Sequence, residues 1–304
     1  MKLVACVANF SEGRDPDVLS AIERAAASVP GVLVLDVHVD ADHHRSVMSF
    51  VGADAAVAEA AFRAAKEAAA RIDLTKHRGV HPRMGAVDVL PFVPVGVTPL
   101  EDCIRVARAT GERIGRELGI PVFLYEGAAS RPERKTLSDV RRGEFEGLAK
   151  RFEEGETPDF GPARAHPTAG AVAVGARMPL VAFNVDLDTD DLQVAKEIAR
   201  SVRESGGGLR AVRALGVALA DRGIVQVTMN LVDYRETPPH VAYREVVKEA
   251  EKRGVRVLGS EIVGLLPIEA LLPAMEEALG LPVTGDRILE ISLMRQWIEG
   301  GGPA

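Results

Sequence analysis

One order of secondary structure, β-α-β-β-α-β, is predicted twice along this chain and constrains the fold more than any other feature. The first copy runs from Leu3 to Val93 and the second from Leu180 to Val263. The strands are short apolar runs, and the helices repeat apolar residues at the spacing of one buried helical face. The predicted elements are strands Leu3–Ala8, Val32–Val37, Ser46–Val51, Val87–Val93, Leu180–Val185, Val212–Ala220, Ile224–Val232 and Val255–Val263, with helices between them.

The strands in the middle of each copy decide the fold class. They are joined by short turns, and such hairpins pair antiparallel, which argues against a doubly wound parallel sheet. Right-handed crossovers then make a split βαβ unit the simplest topology for each copy. The sequence therefore predicts an α+β fold of two tandem ferredoxin-like (βαββαβ) subdomains, with helices packed on mixed or antiparallel sheets, in domains 1–178 and 179–304.

Two segments between the copies carry no clear periodicity. The charged region from Gly127 to about Glu156 is interpreted as a partly ordered wrap between the domains, because Leu137, Val140, Phe145 and Leu148 give it apolar anchors. The segment Ala171–Arg177 is interpreted as a connector, or as a loop that lines a cleft between the domains.

Charge and cysteine content exclude several classes of function. The net charge is −7 with no basic block, which argues against a nucleic-acid partner. No apolar run reaches the roughly 20 residues of a membrane span, and the first residues are too short for a signal peptide. Cys6 and Cys103 have no metal-binding or disulfide spacing, so two buried free thiols in a reducing cytoplasm are expected.

The loop Gly79–Asp88, which contains His81, is the strongest candidate for a catalytic segment. Glycine and proline restrict this backbone, and a histidine held before a strand is suited to proton transfer near neutral pH. The alternative is a loop histidine hydrogen-bonded to backbone. His77 lies four residues earlier, but Gly79 and Pro82 make a helical metal-binding face improbable, so no metal site is predicted here.

Three other polar or glycine-rich stretches leave alternatives open. Asp40–Arg45 is either a divalent cation site or a solvated turn, and Arg45 could pair with a ligand carboxylate or form a surface salt bridge. Asp159–Gly170 could be an interdomain connector or could line a ligand cleft. Gly206–Gly208 follows a helix and lacks the ending of a phosphate loop, so it is expected to terminate that helix.

Several motifs together resemble the glutamate formiminotransferase family, over nearly the whole chain. They are Val7–Arg14, Asp36–Gly52, Lys76–Asp88 (KHRGVHPRMGAVD), Pro158–Gly161, Gly175–Arg177, Ala182–Asn184, Val227–Asn230 and Gly259–Leu265. The resemblance implies a homodimer with a folate-binding groove between two ferredoxin-like subdomains. It also implies transfer of a formimino group from N-formimino-L-glutamate to tetrahydrofolate, without a metal.

The resemblance places the catalytic histidine at His81, as general acid and base. Its implied folate-contacting residues are Phe160, Gly161, His166, Thr168, Gly170, Gly207 and Gly208. For the other substrate, Arg45 and Arg83 are candidates to bind the carboxylates, and Asn9 and Ser11 to donate hydrogen bonds from the end of the first strand.

Two departures from animal members of the family stand out. Those members continue into a cyclodeaminase domain, so transfer without the ring-closing step is expected here. They also have an Asp where this chain has His38, which leaves the group that orients His81 unnamed. Two other functions stay open: a transferase that uses 5-formyltetrahydrofolate as formyl donor to glutamate, and a non-catalytic folate-binding protein.

Overall fold

A computed structural model describes residues 2–300, with side chains to residue 294, as two compact units. The first unit is Lys2–Met178, and the second begins at Pro179. Each is a ferredoxin-like β-sheet with helices, so the predicted fold class is confirmed. Within the described residues no helix is both long and apolar enough to cross a membrane.

The first unit contains a six-stranded sheet in the order β2-β3-β1-β4-β6-β5. Neighbours among the first four strands in this order are antiparallel, as in a ferredoxin-like sheet, whereas β4, β6 and β5 are parallel. The elements are β1 Leu3–Phe10, α1 Pro16–Ala27, β2 Leu33–Asp40, β3 Arg45–Gly52, α2 Asp54–Arg71, β4 Val87–Val95, α3 Leu100–Leu118, β5 Val122–Glu126, α4 Leu137–Val140, α5 Glu144–Glu153 and β6 Val172–Ala176.

The interpretation of Ala171–Arg177 as a connector or cleft loop is wrong. Residues Val172–Ala176 form β6, which is fully buried between β4 and β5. The run is rich in alanine and glycine and has no polar alternation, because both faces of this part of the sheet are covered. Sequence periodicity therefore offered no sign of a strand there.

The first sheet is covered on both faces. Helices α1, α2 and α3 pack on one face around residues such as Phe50, Phe92 and Ile114. Val140 and Leu148, from α4 and α5, pack on the opposite face with Val89 and Tyr125. The other two predicted anchors, Leu137 and Phe145, pack against the same cluster. The region 127–156 therefore belongs to the first unit, and its interpretation as a wrap between domains is corrected.

The second unit repeats the ferredoxin-like order in a four-stranded antiparallel sheet, β10-β7-β9-β8. Its helices α6 and α7 enclose a separate apolar core that includes Ile198 and Val246. The elements are β7 Val181–Leu187, α6 Leu192–Val202, β8 Val212–Leu219, β9 Ile224–Leu231, α7 Pro239–Glu251, β10 Val257–Val263, α8 Leu272–Leu279 and α9 Leu289–Gly300.

Both cysteines are buried and unpaired, as predicted. Cys6 lies in β1 and Cys103 in α3, and both belong to the core of the first unit. Burial raises the pKa of the Cys103 thiol to about 11. A thiol with this pKa is protonated near neutral pH, which makes it a packing residue.

We predict that Gly85→Ala destabilises the first unit while Gly147→Ala does not. A Cβ at Gly85 would clash with the backbone oxygen of Ala171, which belongs to the segment hydrogen-bonded to the histidine loop. A Cβ at Gly147, in α5, meets nothing within 4 Å. Urea denaturation should show a loss of roughly 1–3 kcal/mol for Gly85→Ala and a gain of about 0.5–1 kcal/mol for Gly147→Ala. Equal stability of the two variants would contradict the tight packing at Gly85.

Candidate active site

The predicted site residues of the first unit gather at one end of its sheet. Strand directions place the carboxyl ends of β1 and β2 beside the amino ends of β3, β4, β5 and β6, as the pairs Phe10–Ser46, Phe10–Val87 and Val122–Val172 show. The residues carried by these strand ends and their loops are Asn9, Ser11, Arg45, His81, Arg83, Phe160, Gly161, His166, Thr168 and Gly170. Gly207 and Gly208 belong to the second unit and follow α6.

The histidine loop, Gly79–Asp88, is held in place by His77 and Arg83, both of which are buried. His77 Nε2 donates to the backbone oxygen of His44 at 2.9 Å, and its Nδ1 accepts from Arg83 Nε at 3.2 Å. Arg83 also forks onto the two carboxylate oxygens of Glu146, at 2.7 and 2.6 Å. These hydrogen bonds lower the pKa of Glu146 to about 2. Arg83 thus joins the loop to α5 and has little capacity left for a ligand.

The ring of His81 is held by the backbone of the next residue. Its Nδ1 lies 2.7 Å from the backbone oxygen of Pro82, so Nδ1 carries the proton and donates it. Nε2 makes no hydrogen bond to any of the described residues and retains its lone pair. Burial, together with the positive charges of Arg45 and Arg141, holds the pKa of His81 well below its usual value. The ring is therefore a neutral imidazole with one free nitrogen, oriented without an acidic partner.

A buried carboxylate pairs with the two arginines whose charges act on this histidine. Asp88, at the start of β4, is fully buried, and its Oδ1 accepts the backbone N–H of Met84 at 2.8 Å. Its Oδ2 accepts from Arg45 Nη1 at 2.8 Å and lies 2.7 Å from Arg141 Nη2. Burial alone would raise the pKa of Asp88, but the two arginines outweigh it and hold the pKa below the ordinary value. Arg45 also donates to Asn9 Oδ1 at 2.7 Å.

The hairpin loop between β2 and β3 brings a second histidine to the site. His43 is buried, and its Nδ1 lies 2.6 Å from Asp40 Oδ2. Its ring meets the ring of His81 edge-on, with 6.1 Å between centroids. Across the described residues, no three His, Cys, Asp or Glu side chains are grouped as metal ligands. The side chains of four residues in this loop, Asp40, His43, His44 and Arg45, form hydrogen bonds within the unit.

The segment predicted to contact folate is hydrogen-bonded directly to the histidine loop. Ala86 donates to the backbone oxygen of Ala169 at 3.0 Å, and Ala171 donates to that of Met84 at 3.0 Å. His166 and Gly170 exchange two backbone hydrogen bonds, which close a tight turn over His166–Gly170. His166 Nδ1 accepts the backbone N–H of Ala169 at 3.0 Å, which leaves Nε2 to carry the ring proton. Thr168 and Gly170 lie within this turn.

Several predicted site residues have structural partners of their own. Ser11 is buried, and its hydroxyl donates to the backbone oxygen of Gly85 at 2.7 Å. Phe160 packs against the core beside α3, and Gly161 adopts a positive φ of 83°. In the second unit, Gly207 adopts a positive φ of 86° in the turn that follows α6.

Sequence reasoning missed two groups at this site. Asp88 ends the loop Gly79–Asp88, and a lone carboxylate entering an apolar strand was a signal that it is buried and paired. Arg141 lies in a charged region beside Arg142, and nothing in the sequence separates the partly buried arginine from the exposed one.

Comparisons with known proteins cover both units. A family model described as the formiminotransferase domain, N-terminal subdomain, matches residues 3–177, and one described as the formiminotransferase domain matches residues 182–289. A glutamate formimidoyltransferase of Streptococcus pyogenes is 49% identical over 90% of this chain and 92% of its own length. One from Thermoplasma acidophilum is 47% identical over 92% and 93%. The mouse formimidoyltransferase-cyclodeaminase is 43% identical over 90% of this chain, which spans 52% of that protein.

We predict that His81 makes the protein less stable as the pH falls from 7 towards 5. Its pKa is lowered in the folded state, so the unfolded chain binds more protons below its ordinary pKa of about 6.5, and stability rises with pH through this window. His81→Asn should flatten the pH dependence of the free energy of unfolding measured in urea. His38→Asn, on the edge strand β2, controls for the loss of a histidine from the same unit. An unchanged slope in His81→Asn would contradict the neutral, desolvated ring.

Proposed function

Because the chain belongs to the formiminotransferase family, we propose that it transfers the formimino group of N-formimino-L-glutamate to tetrahydrofolate. The products are 5-formiminotetrahydrofolate and L-glutamate. Relatives that align with nearly the whole chain are named for this activity, which supports formimino transfer as the reaction class. Tetrahydrofolate as acceptor, a homodimer and a cytoplasmic location come from the family resemblance and are parts of the same proposal.

The observation that carries the mechanism is the free Nε2 of a neutral His81. When N5 of tetrahydrofolate bonds to the formimino carbon, N5 must lose its proton, and Nε2 can accept it. The tetrahedral adduct then releases glutamate, whose amine leaves poorly unless it is protonated. The lowered pKa of His81 makes its protonated ring a strong acid, so the same nitrogen can return the proton to that amine. The proton moves between the two substrates and the enzyme is unchanged.

His43 has a positioning role in this mechanism. Its ring is fixed by Asp40 and contacts His81 edge-on, which limits rotation of the catalytic ring. Orientation of the reacting groups contributes much of the rate in such bimolecular transfers. Since the Pro82 oxygen already sets the tautomer of His81, the substitution at His38 does not remove the orienting group.

The contacts also divide the predicted binding residues into two kinds. We assign Arg45 to a substrate carboxylate and Arg83 to holding the loop against Glu146. Asn9 supports Arg45, and Ser11 supports the backbone at Gly85. The turn His166–Gly170, bonded to the histidine loop, remains our candidate for the folate contact, together with Phe160, Gly161, Gly207 and Gly208.

We predict that purified protein converts formiminoglutamate and tetrahydrofolate, and that His81→Asn lowers kcat by about 10²- to 10⁴-fold. His38→Asn should retain near-normal kcat, because that side chain lies on the edge strand β2. Release of glutamate and formation of formiminotetrahydrofolate are the two readouts.

The same assay separates the other functions. Turnover only with 5-formyltetrahydrofolate and glutamate would replace the proposed donor. Folate binding without turnover of either pair would make the protein a binding module. Wild-type kcat in His81→Asn would overturn the assignment of the catalytic residue.

A further inference from the structure

We propose that Arg141, together with Arg45, forms a binding site for a carboxylate of the acidic substrate beside His81. The inference deepens the proposed function and rests on it for the identity of the ligand. Arg141 lies immediately after α4, in the segment that covers the second face of the sheet. It was not among the residues that the sequence singled out.

The first argument is charge balance. The side chains of Arg45 and Arg141 are only 10% and 13% exposed, and both pair with the same carboxylate, Asp88. One anion between two cations leaves an excess positive charge in a largely buried position. Burying a charge is costly unless an opposite charge accompanies it. An anionic ligand would complete the cluster.

The second argument is the unused hydrogen-bonding capacity of Arg141. Among the described residues, its Nε and Nη2 atoms are buried and have no hydrogen-bond partner, although Nη2 lies close to Asp88. Other buried arginines of the unit are satisfied. Arg83 forks onto Glu146, and Arg151 forks onto Glu156 and donates to backbone oxygens. A guanidinium recognises a planar carboxylate through paired N–H groups, and Arg141 retains such groups.

The third argument is the position of this cluster relative to the catalytic ring. The charged or titratable groups that act on His81 are Arg45 and His43 from the β2–β3 hairpin and Arg141 from the segment after α4. Both arginines pair with Asp88 of β4, and His43 pairs with Asp40. Both arginines disfavour a proton on His81. A carboxylate bound between them would cancel part of this repulsion and raise the pKa of His81. Substrate binding would thereby make His81 a stronger base for the proton that it accepts from N5 of tetrahydrofolate.

The test uses glutarate, a dicarboxylate that lacks the reacting group. Calorimetry with the full-length protein should show that Arg141→Met weakens glutarate binding by about 10- to 100-fold, the loss expected for a charge-assisted hydrogen bond. Arg142→Met removes the same charge from the exposed neighbouring position and should leave binding unchanged. The melting temperature of Arg141→Met should be equal to or above that of the wild type, because Arg45 and Asp88 remain as a balanced pair.

Wild-type glutarate affinity in Arg141→Met would overturn the proposal, and so would a melting temperature several degrees lower, which would make Arg141 a structural partner of Asp88. A second measurement needs no substitution in the cluster. Histidine NMR of the wild type should show His81 titrating at higher pH with glutarate than without it, and an unchanged titration would also overturn the proposal. Neither readout depends on turnover, so absence of transfer activity with intact glutarate binding would refute the proposed function alone.

Discussion

The buried carboxylate of Asp88 is the contact on which the functional end of the first unit depends. It joins three segments that are distant in the chain: the histidine loop through the backbone N–H of Met84, β3 through Arg45, and the region after α4 through Arg141. Loss of Asp88 would leave Arg45 and Arg141 without their shared carboxylate, and a buried charge left without a partner typically costs about 3–5 kcal/mol. This one side chain therefore couples the placement of the proposed base to the integrity of the sheet.

Around this contact the loops are held mainly by backbone. Met84 and Ala86 exchange hydrogen bonds with the segment that precedes β6, while Arg83 and His77 join the loop to α5 and to the hairpin before β3. Backbone contacts at van der Waals distance leave no room for a side chain, which explains the glycine at position 85. Backbone hydrogen bonds and close backbone packing position a catalytic group more rigidly than isolated side-chain contacts do.

The fold could be predicted to a large extent because local sequence patterns indicate most of its strands and helices. Hairpin turns and helical spacing gave the order of the ferredoxin-like elements in both units, and the structure has them. The strand Val172–Ala176 escaped prediction, since burial on both faces removes the alternation that marks a strand. The candidate active site could be predicted less completely than the fold. His81 could be singled out from the glycines and the proline around it. Arg83 and Arg141 have their partners in segments more than 50 residues away along the chain. No local pattern distinguishes an arginine whose N–H groups are all hydrogen-bonded from one that retains unpaired N–H groups.

The hydrogen bond from His81 to the oxygen of Pro82 has a consequence for how this site can diverge. In many enzymes an acidic side chain orients the catalytic histidine, and one substitution can remove it. Here the acceptor is a main-chain atom of the adjacent residue, and every amino acid at position 82 would supply it. The tautomer of the proposed base is therefore set by the backbone, and it would persist through substitutions of the side chains around the ring.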